Sequence, residues 1–292
     1  MHARTPALLL IAAVLVACRT TANEPVLFAS GPVTTAADEF ATTFTPDGRT
    51  VFFNRVEGDH YLIFSAQLTD GGWSAAQRAP FSNGSARDID PFVTPDGRIL
   101  VFTSNRPRPG TTSDDFNLWA VRATSAGWSA PELLPSPPNS ADNEVFATLS
   151  ANETIYFSRR LANEPRRIFR SERLAGGWKQ PVQVVLDVAP EASLGNPLIG
   201  PDESFLVFTS RDLGGAGSVD LFLTRRSSDG SWSVPIALPV PINSAAADYA
   251  PGIGADGTTL YFSSRRARDG TSEESDERPP GDLYAVSLEP FL

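Results

Sequence analysis

Carboxylates and arginines recur along this 292-residue chain in a fixed order. Glu39, Asp88, Glu144 and Asp248 each stand where a short apolar segment begins, and Arg55, Arg106, Arg160, Arg211 and Arg265 each stand where the following apolar segment ends. The acidic series skips one place: Leu194 occupies it, with Glu191 just before. Two kinds of chemistry suit such a set. Two carboxyls, one protonated and one ionised, can hydrolyse a glycosidic bond, and a rim of mixed charge around a cavity can bind a ligand or partner. A third use is plain pairing of arginine with carboxylate to fix loops, and strict recurrence favours it, because periodic charges serve a repeat. The arginines fall two, three or four residues after the last Phe of their segment. In an extended strand one residue of slip reverses the face, so these five side chains need not all point alike.

Other chemistries have little to stand on. His60 is the only histidine beyond His2, which excludes a His-rich metal centre and argues against a Ser-His-Asp triad. There is no Gly-x-Ser-x-Gly elbow and no phosphate-cradling Gly-rich loop, so neither a cofactor nor a metal is expected. The formal net charge of −10 makes the chain a poor ligand for nucleic acid. The acidic, polar stretch within Ala267–Gly281 matches no known spacing of calcium ligands.

The N-terminus reads separately. A basic start with His2 and Arg4 leads into an apolar or small run, Pro6 to Ala17, too short to span a bilayer comfortably and suited to a secretory signal. The run ends Leu15-Val16-Ala17-Cys18, and Cys18 is the only cysteine. This quartet resembles the lipobox of bacterial lipoproteins, in which the cysteine is acylated and becomes the mature N-terminus. Two or more acyl chains give stable anchoring. The expected organisation is a signal peptide over 1–17, a short tether over 18–22 and one domain over 23–292. Acylation of Cys18 leaves that domain without a disulfide, so core and strand pairing must hold it.

The elements that position the charged residues come from a repeat. The stretches Phe44–Arg55, Val93–Arg106, Leu149–Arg160, Ile199–Arg211 and Ile253–Arg265 share a turn followed by a β-branched and aromatic strand. Their turn residues Asp47, Asp96, Asn152, Asp202 and Asp256 are about fifty positions apart, a period that in an all-β chain points to propeller blades. Each unit holds a short strand before the turn, a second after it, and a third with an aromatic residue (Phe64, Trp119, Phe169, Phe222, Tyr284). A tight turn then leads to Trp73, Trp128, Trp178 or Trp232 and a fourth strand, with each Trp read as a packing anchor between blades. The fifth unit stops after its third strand, and Pro25–Phe28 resembles the missing fourth. The fold expected is therefore all-β: a five-bladed β-propeller whose last blade is closed by the N-terminal strand, which removes the exposed edges of an open sheet.

The pattern Pro-Asp-Gly, strand, Phe-x-Ser-x-Arg, loop, Asp-Leu-Tyr resembles the WD-like propeller repeats of bacterial envelope proteins, the TolB-type family. The resemblance covers roughly the whole of 23–292. It departs in having five units rather than six and in lacking the family's extra α/β domain, so it implies architecture and not functional equivalence. The function expected is a non-catalytic binding or scaffold module of the cell envelope, periplasm-facing and lipid-anchored in the outer membrane, monomeric, with a protein or glycan partner. The alternative is a glycoside hydrolase working through inner-strand carboxylates. The candidate rim is Glu39, Arg55, Asp88, Arg106, Glu144, Arg160, Arg211, Asp248 and Arg265. The unequal loops Pro107–Asp115, Leu161–Arg166, Asp212–Val219 and Ala267–Gly281 lie on the same face, whereas the Pro-Asp-Gly turns lie on the other.

Overall fold

A computed structural model describes residues 23–108, 114–268 and 279–292. The expected signal, lipobox and tether, Cys18 included, and most of the acidic stretch after Arg268 lie outside these residues.

Five antiparallel sheets follow one another as propeller blades. The first blade runs from an inner strand Glu39–Phe44 through Thr50–Glu57 and His60–Thr69 to a short outer strand Gln77–Arg78. The inner strands of the others are Asp88–Val93, Asn143–Leu149, Gly195–Ile199 and Asp248–Ile253. Among the described residues the only helical element is a 3-10 turn, Glu289–Phe291.

The N-terminal strand does close the ring. Val26–Leu27 pairs antiparallel with Asp282–Ser287, with Leu27 opposite Tyr284. That register repeats the other blades, in which the third-strand aromatic faces the outer strand: Phe64 and Arg78, Trp119 and Leu133, Phe169 and Gln183, Phe222 and Ala237. The next backbone bond is the same as well. Phe28 N–H donates to the Leu283 carbonyl at 2.8 Å, as Ala79 does to Ile63 at 2.8 Å and Leu134 to Leu118 at 2.9 Å. The side chain of Phe28 then meets Phe44, Trp73 and Tyr261 edge-on, with centroids 5.8, 5.5 and 5.0 Å away, so the closing strand also joins blade five to blade one through the core.

The repeated tryptophans sit in the seams, each packed against the blade before its own. Trp128 of blade two lies edge-on to Phe52 of blade one at 5.6 Å, Trp178 joins Phe92 and Val101, and Trp232 joins Tyr156 and Ile168. The turns on one face are locked by short polar bonds. Asp47 accepts from Thr45 Oγ1 at 2.6 Å and Arg49 N–H at 3.0 Å, and Asp96 accepts from Thr94 and Arg98 at the same distances. Gly48 and Gly97 take the left-handed φ such a turn needs, +67° and +72°.

Candidate binding site at the channel mouth

At the face opposite those turns, four of the five blades carry the same buried clamp. Glu39 accepts from Arg55 Nε at 2.8 Å and from Thr35 N–H at 3.1 Å, and Glu144 accepts from Arg159 Nε at 2.8 Å and Ser140 N–H at 3.1 Å. Asp88 is held by Arg106 Nη2 at 2.7 Å and Ser104 Oγ at 2.8 Å, and Asp248 by Arg266 Nη2 at 2.8 Å and Ser244 N–H at 2.6 Å. All four carboxylates are fully buried. Each arginine also caps a carbonyl of the segment leading into its blade, those of Val33, Phe81, Pro138 and Ile242. Burial pushes the Glu39 and Glu144 carboxyls above their ordinary value, against the pull of the serine, threonine and arginine donors.

Strand parity explains which arginine clamps. The acid faces the residue two after the Phe of the second strand: Arg55, Ser104, Arg159 and Ser264. The longer Glu meets an arginine at that position, and the shorter Asp meets a serine there and an arginine two further on, on the same face. Arg160, Arg211 and Arg265 stand three after the Phe and belong to the other parity. The expected arginine series therefore divides. Arg55 and Arg106 are clamps, but in blades three and five the clamps are Arg159 and Arg266, which the series passed over. Arg265 pairs instead with Asp38 at 3.0 Å and lies over the Tyr249 ring.

Blade four has no clamp. Leu194 sits in the acid's place, buried in the seam between blades three and four with Ile168, Val184 and Ala192. Ser210 is present at the usual second-strand position, but Asp212 stands where an arginine would be, and it accepts Ser193 N–H at 2.8 Å. A cavity of about 460 Å³ opens here, lined by Arg160, Arg166, Ser193, Asn196, Arg211 and Tyr249 among others. A second cavity of about 360 Å³ shares Arg160, Arg166, Asn196 and Tyr249 with it and adds Phe40, Asp90 and Phe116. The two together form the mouth of the channel. Below them Ala41, Phe146 and Ala250, from three different blades, pack together. At the turn face lies a smaller, apolar cavity lined by Phe44, Phe92, Leu149 and Ile199.

The backbone treats blade four differently too. Every inner strand bulges two residues after its acid or, in blade four, after Leu194, where Ala41, Asp90, Phe146, Asn196 and Ala250 take φ of +46° to +55°. Three of these strained positions are held by the preceding blade. Asp90 N–H donates to Asn54 Oδ1 at 2.7 Å, Phe146 N–H to Thr103 Oγ1 at 3.0 Å and Ala41 N–H to Ser263 Oγ at 3.2 Å. At blade four's two seams no such bond forms among the described residues. Ser158, the residue positioned to cap Asn196, has a buried hydroxyl with no hydrogen-bond partner among the described residues, and Thr209 donates to Asn196 Oδ1 in its own blade at 3.1 Å.

The electrostatics of the mouth follow. Arg160, Arg166 and Arg211 form no salt bridge among the described residues. Burial lowers the pKa of Arg166, partly offset by the charge of Asp90 and reinforced by Arg160 and Arg211. Asp90 is buried, and the loss of solvent pushes its carboxyl up to about 7 despite Arg166 and a Thr103 hydrogen bond. Of the candidate rim, then, Glu39, Arg55, Asp88, Arg106, Glu144 and Asp248 are engaged in clamps, Arg265 is paired, and only Arg160 and Arg211 face the cavity. Arg166, at the end of the Leu161–Arg166 loop, and Asp90, at the bulge, were not in the candidate set.

No protein-family model matches the chain, and no curated protein matches it. Solved structures do. A putative TolB from Agrobacterium tumefaciens is 16% identical with a TM-score of 0.52, over 87% of this chain and 91% of that one. TolB from Acinetobacter baumannii is 12% identical with a TM-score of 0.51, over 86% of this chain and 55% of that one. The catalytic domain of a GH62 α-L-arabinofuranosidase from Coprinopsis cinerea is 16% identical with a TM-score of 0.54, over 88% of this chain and 95% of that one. The likeness is one of fold, and it extends to TolB and to arabinofuranosidase propellers at the same level.

Proposed function

We propose that the chain is a binding propeller of the bacterial cell envelope, which recognises a protein or glycan partner at the channel mouth and performs no reaction on it. The observation that carries this reading is the state of the carboxylates. The four that recur at the inner-strand starts are buried and saturated by arginine and hydroxyl or amide donors. Asp90 is the single carboxylate, among the described residues, that lines the mouth cavities. Glycosidic hydrolysis of the usual kind needs two, about 5–5.5 Å or about 6.5–9.5 Å apart. A cavity of this size lined by aromatic and convergent polar groups suits a small ligand or the end of a larger one. Export and acylation at Cys18 fit an envelope role, and the TolB likeness in fold supports it.

The test uses the full chain with arabinoxylan oligosaccharides and a chromogenic α-L-arabinofuranoside, with envelope glycans in a parallel binding assay. Binding without turnover is expected. Turnover that disappears in Asp90→Asn would overturn the reading in favour of a hydrolase. For the anchor, Cys18→Ser in a Gram-negative host is expected to leave the detergent phase, and unchanged partitioning would remove lipidation from the proposal.

A further inference from the structure

We infer that the mouth cavity takes a carboxylate-bearing sugar, with Arg160, Arg166 and Arg211 receiving the acid group. This rests on the binding reading above and gives it a ligand class. The protein as a whole is strongly acidic. Across the two adjoining mouth cavities the balance is reversed: three guanidiniums line them, against a single carboxylate, Asp90. Asp90 and Arg166 sense each other's charge yet form no salt bridge, so Asp90 offsets the group only in part.

In the four other blades the protein supplies the clamp guanidinium with a buried carboxylate. At blade four both members of the clamp are missing, because Leu194 replaces the acid and Asp212 the arginine, and Arg160 and Arg211, of the other parity, line the cavity with Arg166. Keeping uncompensated like charges together is costly, and an anion relieves the cost when it binds. A guanidinium is a planar fork that fits a carboxylate through two parallel hydrogen bonds.

The rest of the lining favours a sugar over an acidic peptide. Ser193, Thr209 and Asn196 offer hydroxyl and amide groups of the kind that pair with ring hydroxyls, and Tyr249 presents an aromatic ring. The adjoining cavity adds Phe40 and Phe116, giving the apolar surface on which a pyranose face can rest.

Titration calorimetry on the full chain tests this with trigalacturonate, its methyl ester, an acidic hexapeptide and inorganic phosphate as probes. Trigalacturonate is expected to bind, and the neutral ester to bind about tenfold or more weakly. Arg166→Gln, and separately the exposed Arg211→Gln, should each weaken trigalacturonate about tenfold while the ester's affinity and the melting temperature stay near wild type. Equal binding of acid and ester would overturn the carboxylate assignment and leave the binding reading standing. Tighter binding of the peptide than of trigalacturonate would replace the sugar by a protein partner, and phosphate binding as tight as trigalacturonate would reduce the site to a general anion trap. Cleavage of any probe would instead overturn the binding reading itself.

Discussion

Blades one, two, three and five meet the channel mouth with a buried acid, an arginine across the strand pair and a carbonyl from the incoming segment. Blade four meets it with Leu194, two arginines from its own and the neighbouring blade that form no salt bridge among the described residues, and an open cavity. The same charges thus do two jobs. Where acid and arginine recur together they tie the entry of a blade to its second strand, much as a cap ties a helix end. Where the recurrence fails, acid and clamp arginine are both replaced, and arginines of the other parity line an open cavity. The break in the repeat, rather than the repeat, marks the place where this molecule is specialised.

The largest effect should come from breaking a clamp. Arg159→Ala leaves the Glu144 carboxylate buried with only Ser140 as partner and frees the Pro138 carbonyl. Removing one side of a buried pair costs about 3–5 kcal/mol. Arg211→Ala at the unclamped blade should cost about 0.5 kcal/mol or less, as surface substitutions do. Chemical denaturation of both variants decides it. If the two lose stability equally, the division of the arginines into clamps and cavity residues is wrong.

Much of this was legible in the residues. The period of the turns, the strand aromatics and the tryptophans fixed five blades, and the likeness of Pro25–Phe28 to the outer strands pointed to the closure seen at Leu27 and Tyr284. The parity of the arginines was legible in principle: counting from the Phe separates Arg55 and Arg106 from Arg160, Arg211 and Arg265. What hid it was the doublets Arg159-Arg160 and Arg265-Arg266, in which the clamp and its inward neighbour adjoin. Arg166 was flagged only as the end of an unequal loop. Asp90 carried no signal at all. An acid at the third position of an inner strand would point to the wrong face if the strand were regular, and only the left-handed bulge brings it to the mouth.

The second test concerns Asp90. Its carboxyl stands at about 7 in the folded protein, against about 3.8 when exposed, because burial disfavours the charge. The native state therefore holds a proton that the unfolded chain has released between those values. Stability contributed by this group is full below the lower value, falls as pH rises, and is lost above about pH 7. Asp90→Asn removes the titration, and Asn tolerates the left-handed φ of this position. The variant should gain on the order of a few kcal/mol over wild type at pH 8 and converge with it towards pH 4. A pH-independent difference would mean that the carboxylate is neutralised by its arginine neighbours after all, and that the cavity's excess positive charge is smaller than the count of its residues.

The smallest effect lies in the seams. Thr103 and Ser158 occupy equivalent places in blades two and three, each one residue after the second-strand Phe. Thr103 accepts the N–H of the strained Phe146 from the next blade, whereas the buried Ser158 hydroxyl reaches no partner among the described residues, Asn196 beyond it being turned to Thr209. Thr103→Val keeps the shape, strands a buried N–H and also removes the hydroxyl bonded to the Asp90 carboxyl, a loss of about 1–3 kcal/mol or more. Ser158→Ala removes a hydroxyl that already lacks a hydrogen bond, so the change should be near zero or slightly stabilising. Melting temperatures of the two variants, measured side by side, check the contrast. If Ser158→Ala costs as much as Thr103→Val, the hydroxyl is engaged in solution and the seam into blade four is held like the rest. The cavity would then owe its opening to the missing carboxylate at Leu194 alone. If the contrast holds, blade four is loosened twice over, at its clamp and at its backbone seam, on the side where Arg160, Arg166 and Arg211 converge.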